Sequence, residues 1–212
     1  MGCVVVDVSD TLPFVKTNPD SQPAIGAPRG STAVSGARSG PRRVAKEPDW
    51  SREERRRRWD PGRCLLRCIR AYQTTATWWP PLRKVARAFL IPRHWFWSAV
   101  AGTDIPLNAQ LGGGVMLPHP NGIVIHPRAR IGPNCLIFQQ VTIGTRGWNR
   151  PAPVIGAGVE IGAGAKVLGP ITIGDGARIG ANAVVMSDVP PGCTAVGIPA
   201  RVVNRRKMRK AS

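Results

Sequence analysis

From residue 155 to residue 185 every sixth position is a β-branched aliphatic: Ile155, Ile161, Val167, Ile173, Ile179 and Val185. Gly follows in four of the six cases (Gly156, Gly162, Gly174, Gly180), and a small or β-branched residue sits four places on: Val159, Ala165, Ile171, Ala177, Ala183, Val189. A period of six fits neither an amphipathic helix nor a single long strand. It is the hexapeptide pattern of a parallel β-helix, in which each unit forms one short side of a coil and the next unit turns the corner. The expected fold is therefore an all-β solenoid.

The register continues toward the N-terminus through Ile143, Ile137, Ile131 and Ile125, with Val141, Cys135 and Ala129 in the small position, and then through Leu117, Leu111 and Ile105. Two steps are irregular. Between Leu117 and Ile125 two residues are inserted, within Pro118–Val124. Between Ile143 and Ile155 the middle unit, Gly147-Trp148-Asn149-Arg150-Pro151, has no aliphatic in register and is expected to bulge as a loop. Irregularities of a solenoid are where its sites usually lie. At three units per coil, residues 105–200 make about five turns, and such a narrow rod favours side-by-side oligomers.

The rest of the chain has other patterns. In 1–60 Gly, Pro, Ser and Arg crowd positions 20–43, no apolar period persists and Arg55–Arg58 is a charge run, so this segment reads as disordered. Residues 61–101 read as helical. Leu65, Leu66, Ile69 and Tyr72 share one face, and Leu82, Val85, Phe89 and Leu90 another, with Pro80-Pro81 between them. This stretch carries seven basic residues, no acidic one, and Trp78, Trp79, Trp95 and Trp97. Two readings are open: contact with a membrane surface or anionic partner, and, preferred, a short helical cap whose aromatics seal the open end of the column. The catalytic solenoid is placed at 102–203 and a basic tail at 204–212. No signal peptide, myristoylation signal or membrane-spanning run is legible, which points to the cytoplasm.

The formal net charge of +18 invites a nucleic-acid reading. The excess, however, comes from 61–100 and 201–212; residues 101–200 hold six basic and four acidic residues. The solenoid thus offers no basic stripe for a phosphate backbone. Five cysteines (3, 64, 68, 135, 193) without a CxxC pair give no zinc site, and Cys135 falls in an inward position. Of three histidines (His94, His119, His126), His119 lies in the first irregularity between Pro118 and Pro120. An imidazole held on a stiff corner is a good general base; the plainer reading is a surface histidine at a turn.

Several segments resemble the catalytic domain of serine acetyltransferases: Gly102-Thr103-Asp104-Ile105, Leu117-Pro118-His119-Pro120-Asn121-Gly122-Ile123-Val124-Ile125, Gln139-Gln140-Val141-Thr142-Ile143-Gly144, Ile161–Gly169, and Val189-Pro190-Pro191-Gly192 with Gly197-Ile198-Pro199-Ala200-Arg201. The resemblance implies a left-handed parallel β-helix, against the usual right-handed crossover. It also implies a homotrimer with acetyl-CoA in the groove between subunits, and no metal. By the same resemblance His119 is the catalytic base and Asp104 the carboxylate that orients it. Fifteen residues is slightly less than one coil, which sets the two about one rung (~5 Å) apart. Gly144, Ala163 and Ala181 match positions where the backbone approaches the pantetheine arm, Gly144 being also a candidate oxyanion donor. Arg178 and Arg201 are candidates for the CoA phosphates.

The departures concern the acceptor. The family's acidic residue before the catalytic histidine is Pro118 here, and its Arg-His pair in the long loop falls on Pro151-Ala152. The expected activity is acetyl transfer from acetyl-CoA to a hydroxyl of serine or a related small acceptor. A sugar, polysaccharide or natural-product hydroxyl is the alternative; Arg146 or Arg150 would have to grip a serine carboxylate. A non-catalytic β-helical scaffold is a second alternative. A metal-dependent hydratase is a third, although only His119 and His126 lie in the solenoid.

Overall fold

The computed structural model describes residues 44–54, 59–147 and 150–203. The expected disorder of 1–43 and of the Arg55–Arg58 run, the basic tail 204–212, and Trp148-Asn149 of the long loop lie outside these residues.

Two helices precede the solenoid. α1 (Pro61–Thr74) starts where Asp60 accepts a hydrogen bond from the Arg63 N–H and Pro61 occupies the first turn. α2 (Pro80–Ala101) ends at Gly102, whose φ of +62° stops the helix in the left-handed region. No helix among the described residues is long and apolar enough to cross a membrane.

From Asp104 onward the chain winds through three faces. On the first, Asp104 bridges to Val124, and β2 (Val124–Ile125), β5 (Thr142–Gly144), β8 (Lys166–Leu168) and β11 (Val184–Val185) stack in parallel. The second holds β1 (Gln110–Leu111), β3 (Arg130–Ile131), β6 (Val154–Ile155) and β9 (Thr172–Ile173). The third holds β4 (Leu136–Ile137), β7 (Glu160–Ile161), β10 (Arg178–Ile179) and β12 (Thr194–Gly197), with β13 (Ala200–Val203) returning antiparallel. The register stacks the expected aliphatics directly: Ile125 on Ile143 on Val167 on Val185, and Leu111 on Ile131 on Ile155 on Ile173. Every aliphatic of the six-residue register from Ile105 to Val185 is buried, as is the small position from Ala129 to Val189. The solenoid reading is borne out.

The cap needs correction in one respect. Leu65, Leu66 and Ile69 of α1 close the column, in one cluster with Ala101, Ile105, Ala109 and Leu111; burying each aliphatic contributes about 2 kcal/mol. Arg70 donates to the Leu111 and Gly112 carbonyls (2.6 Å each) and Gln73 to the Ala109 carbonyl (2.9 Å), satisfying the open end of the first coil. The aromatics do not seal it: Trp78, Trp79, Trp95 and Phe96 are exposed, and only Trp97 packs partly on the core. The reason is geometric. α1 already fills the end of the column, and of α2 only His94 and Ala101 are buried.

Residues 44–54, placed by composition in the disordered segment, are instead ordered along the solenoid. The corner between the second and third faces carries Gly114, Asn134, Gly158 and Gly176 at positive φ. Val44 fills the space a side chain would need at Gly158 and Gly176. Lys46 pairs with Asp175 (3.5 Å). Asn134 accepts from the Asp49 N–H (2.8 Å) and donates to the Ala45 and Glu47 carbonyls (3.0 and 2.7 Å). Trp50 lies over Gly113, and a 3₁₀ turn at Trp50–Glu53 delivers Glu53 to Arg70. The segment lacks an apolar period because side-chain-to-backbone hydrogen bonds, not a buried stripe, hold it.

Candidate active site

The inserted residues form the corner that leads from the third face to the first. Pro118 and Pro120 fix the backbone on either side of His119. Gly122, at φ +70°, donates its N–H to the Gly102 carbonyl one level below (2.7 Å). On the next level Gln140 N–H donates to the Asn121 carbonyl (2.8 Å). The corner is thus clamped from both sides, and His119 is held exposed at its outer edge.

Asp104 lies on the first face, one level below Val124. Its N–H donates to the Ile123 carbonyl (2.8 Å) and its carbonyl accepts from Ile125 (2.9 Å). Ile105 points into the core, so by strand alternation Asp104 points outward, and it is exposed. Backbone pairing therefore sets both candidates within one coil of each other at the same corner. Among the described residues no hydrogen bond or ion pair links their side chains.

The same corner continues upward. Gly164 N–H donates to the Gln139 carbonyl (2.9 Å) and Asn182 N–H to the Ala163 carbonyl (2.8 Å). Ala163 and Ala181 consequently stand in the His119 column, two and three levels higher, about 10 and 15 Å along the axis. Above the intervening Gln139-Gln140 level, the small side chains of Ala163 and Ala181 form a suitable bed for an extended pantetheine arm. Gly144 sits apart, at the far edge of the first face. Among the described residues a methyl there would meet only Leu168 Cδ2 at 3.8 Å, so none of them requires a glycine at this position. Its carbonyl accepts from Gly169 N–H (3.0 Å) on the level above. In a parallel ladder the N–H and C=O of one residue face the same neighbour. The Gly144 N–H is therefore turned into the sheet, which argues against its role as oxyanion donor.

The two arginines lie on the third face. Arg178 opens β10 and pairs with Glu160 (3.1 Å), with both side chains partly exposed; Arg201 on β13 is exposed opposite Val196. The long loop leaves from the other edge of the first face. Arg146 lies over Gly169, Pro151 and Arg150 are exposed, and Ala152 packs on the core. His119 and this loop are separated by the width of the first face.

Two residues that sequence reasoning did not single out flank the corner. Thr103 Oγ1, at the level below His119, and Gln139 Oε1, at the level above, are buried with no hydrogen-bond partner among the described residues. Buried polar atoms are normally satisfied, so these are positions where a bound ligand or water would find one. The signal was their place in the two motifs around the irregularity. Among the described residues no group of three or more His, Cys, Asp or Glu is arranged to hold a metal. Burial pushes the Cys135 thiol up to about 11 and raises the Cys68 thiol.

Comparison with known proteins bears on the fold and on the enzymes this chain is similar to. The family model described as bacterial transferase hexapeptide (six repeats) matches residues 152–186. A serine acetyltransferase of Synechococcus elongatus is 46% identical over 112 residues, covering 52% of this chain and 46% of that protein. The crystal structure of Neisseria gonorrhoeae serine acetyltransferase in complex with serine superposes with a TM-score of 0.57 at 39% identity, covering 69% of this chain and 58% of that one. A serine acetyltransferase complex with CoA gives a TM-score of 0.51 at 40% identity, covering 64% and 55%. The chain spans about half the length of the curated relatives it matches. The solenoid is thus a hexapeptide-repeat, left-handed parallel β-helix similar to that of serine acetyltransferases, as its motifs imply.

Proposed function

We propose that this chain is an acetyl-CoA-dependent O-acetyltransferase of the serine acetyltransferase type, acting on the hydroxyl of serine or a related small acceptor. The observation that carries the reading is the clamped corner that exposes His119 at the foot of the Ala163–Ala181 column, in a chain similar to proteins solved with serine and with CoA. His119 takes the proton of the acceptor hydroxyl as its oxygen attacks the thioester carbonyl. The tetrahedral intermediate then collapses, the C–S bond breaks, and the CoA thiolate leaves and recovers the proton from His119. Asp104 orients the imidazole and steadies its charged form once substrate draws the two together. Ala163 and Ala181 bed the pantetheine arm, and Arg178 and Arg201 meet the CoA phosphates.

The working unit in this reading is a homotrimer. The long loop and His119 of one chain stand a face apart, and a neighbouring copy would bring a loop to the groove. The product would supply cysteine biosynthesis in the cytoplasm. A second reading, a sugar or natural-product hydroxyl as acceptor, is favoured by Pro118, Pro151 and Ala152, which are uncharged at the acceptor-gripping positions and leave only Arg146 or Arg150 to hold an amino-acid carboxylate. Thiol release from acetyl-CoA across a panel of hydroxyl acceptors tests both. No turnover with any acceptor, together with no CoA binding by calorimetry, would leave a non-catalytic scaffold.

A further inference from the structure

α2 presents an apolar face that nothing among the described residues covers. Leu82, Val85, Phe89, Phe96 and Val100 recur at i, i+3, i+7, i+14 and i+18, so they lie within one narrow sector of the helix. The stripe is about 27 Å long. All five are exposed, Phe89 at 73%. Trp79 before the helix and Trp95 on its flank are exposed at 75% and 70%. The opposite side carries His94 and Ala101, the two buried residues, with His94 Nε2 2.8 Å from the Ile105 carbonyl. The helix is thus pinned by one side and offers the other outward.

Charge identifies the occupant. Residues 61–103 hold seven basic side chains and no acidic one. Arg63 is engaged by Asp60 and Arg70 by Glu53, while Arg67, Lys84 and Arg93 are exposed around the two helices. A second copy of this face would bring the same charges and be repelled; an anionic surface is attracted. Tryptophan and phenylalanine on one side with lysine and arginine around them is the composition of a helix lying in the headgroup region of a bilayer. Lysine and arginine stems can lie along the apolar surface while their charges reach the phosphates.

We propose that the α2 face is a docking surface for an anionic lipid bilayer, binding the enzyme peripherally with the Leu82–Val100 stripe in the interface. This goes beyond the acetyltransferase reading and does not depend on it.

Flotation of the full chain with vesicles tests it, one set of phosphatidylcholine alone and one with roughly a quarter phosphatidylglycerol. The expected result is binding to the mixed vesicles and weak binding to the neutral ones. The paired variant Phe89→Ser/Phe96→Ser should lower the bound fraction about tenfold or more, since each phenylalanine loses its burial in the interface. Lys84→Gln/Arg93→Gln should weaken binding to the mixed vesicles selectively, by roughly an order of magnitude at most. Circular dichroism and thermal melting of the variants confirm that they fold. Three outcomes overturn the proposal. The chain fails to bind mixed vesicles; or the phenylalanine variant binds as well as the parent, so that cationic residues elsewhere suffice; or light scattering shows that the substitutions dissociate an oligomer, which makes the stripe an interface between copies.

Discussion

Glu53 and Arg70 face each other across two hydrogen bonds of 2.9 and 3.2 Å, joining the N-terminal strap to the helix that closes the solenoid. The Glu53 carboxylate is buried and also accepts from the Val115 N–H (3.2 Å), while Arg70 reaches two carbonyls of the first coil. Glu53→Gln leaves Arg70 without its counter-charge and should destabilise the protein by about 3 kcal/mol, the usual scale for breaking a buried pair. Urea unfolding measures it. A double cycle with Arg70→Met should show that the two losses are not additive.

Deletion of 1–43 and deletion of 1–54 should differ. The first keeps Val44, Asn134's partners and Glu53, and should leave thiol release from acetyl-CoA nearly intact. The second exposes the glycine-lined corner and should lower the melting temperature more than Glu53→Gln does. Equal melting temperatures for the two truncations would show that the strap contributes nothing.

The dyad makes a kinetic prediction. His119→Ala should lower kcat by about two to four orders of magnitude while CoA still binds, the usual worth of general-base assistance. Asp104→Asn removes the charge but keeps the shape and should also lower kcat. The double variant should be little worse than His119→Ala alone, because the pair acts as a unit. Turnover like that of the parent in His119→Ala would remove the catalytic reading.

For the acceptor, L-serine should be used with a kcat/KM about ten- to a hundredfold below that of a preferred hydroxyl substrate, the scale of one lost charge-assisted contact. Pro151→Arg with Ala152→His should raise the value for L-serine. If L-serine is already the best acceptor in an unbiased panel, other residues bind its carboxylate.

Cys135 should be inert. Its thiol lies in an inward position with burial pushing it up to about 11 from 9.0, so at neutral pH almost no thiolate forms in the folded state. Alkylation of Cys135 should require unfolding, followed by mass spectrometry. The same shift has a sign: its stabilising contribution is complete below about pH 9 and is lost as pH rises through about 11, because the unfolded chain then releases the proton first.

The solenoid was legible because its rule is local and repeated. Ile137 needs no knowledge of Ile161 to be recognised as inward-facing, and the missing aliphatic between Ile143 and Ile155 announced a loop. The corner at His119 was visible for the same reason, as a step of eight in a run of sixes. The strap was not. Its order rests on Asn134, more than eighty residues away, and on glycines whose absent side chains leave room for Val44. Neither signal exists within a window of the sequence. Which way the α2 face points was not legible, because an apolar stripe looks the same whether it faces a core or the outside. The Pro80-Pro81 break lets α1 occupy the end of the column alone.

In a stack whose coils touch only their neighbours, each end can fray without the other's knowledge. The strap changes this connectivity. It crosses four successive levels, from Gly176 through Gly158 and Asn134 to Gly114, before reaching α1 through Glu53. Opening of the coil at Gly176 therefore loosens the segment that secures the cap, and release of the cap frees the segment that covers Gly176. A linear array becomes a closed circuit, and unfolding is made cooperative over its length. Amide exchange in the coil at Gly176 and in α1 would then share one opening free energy, and Asn134→Ala would split it into two.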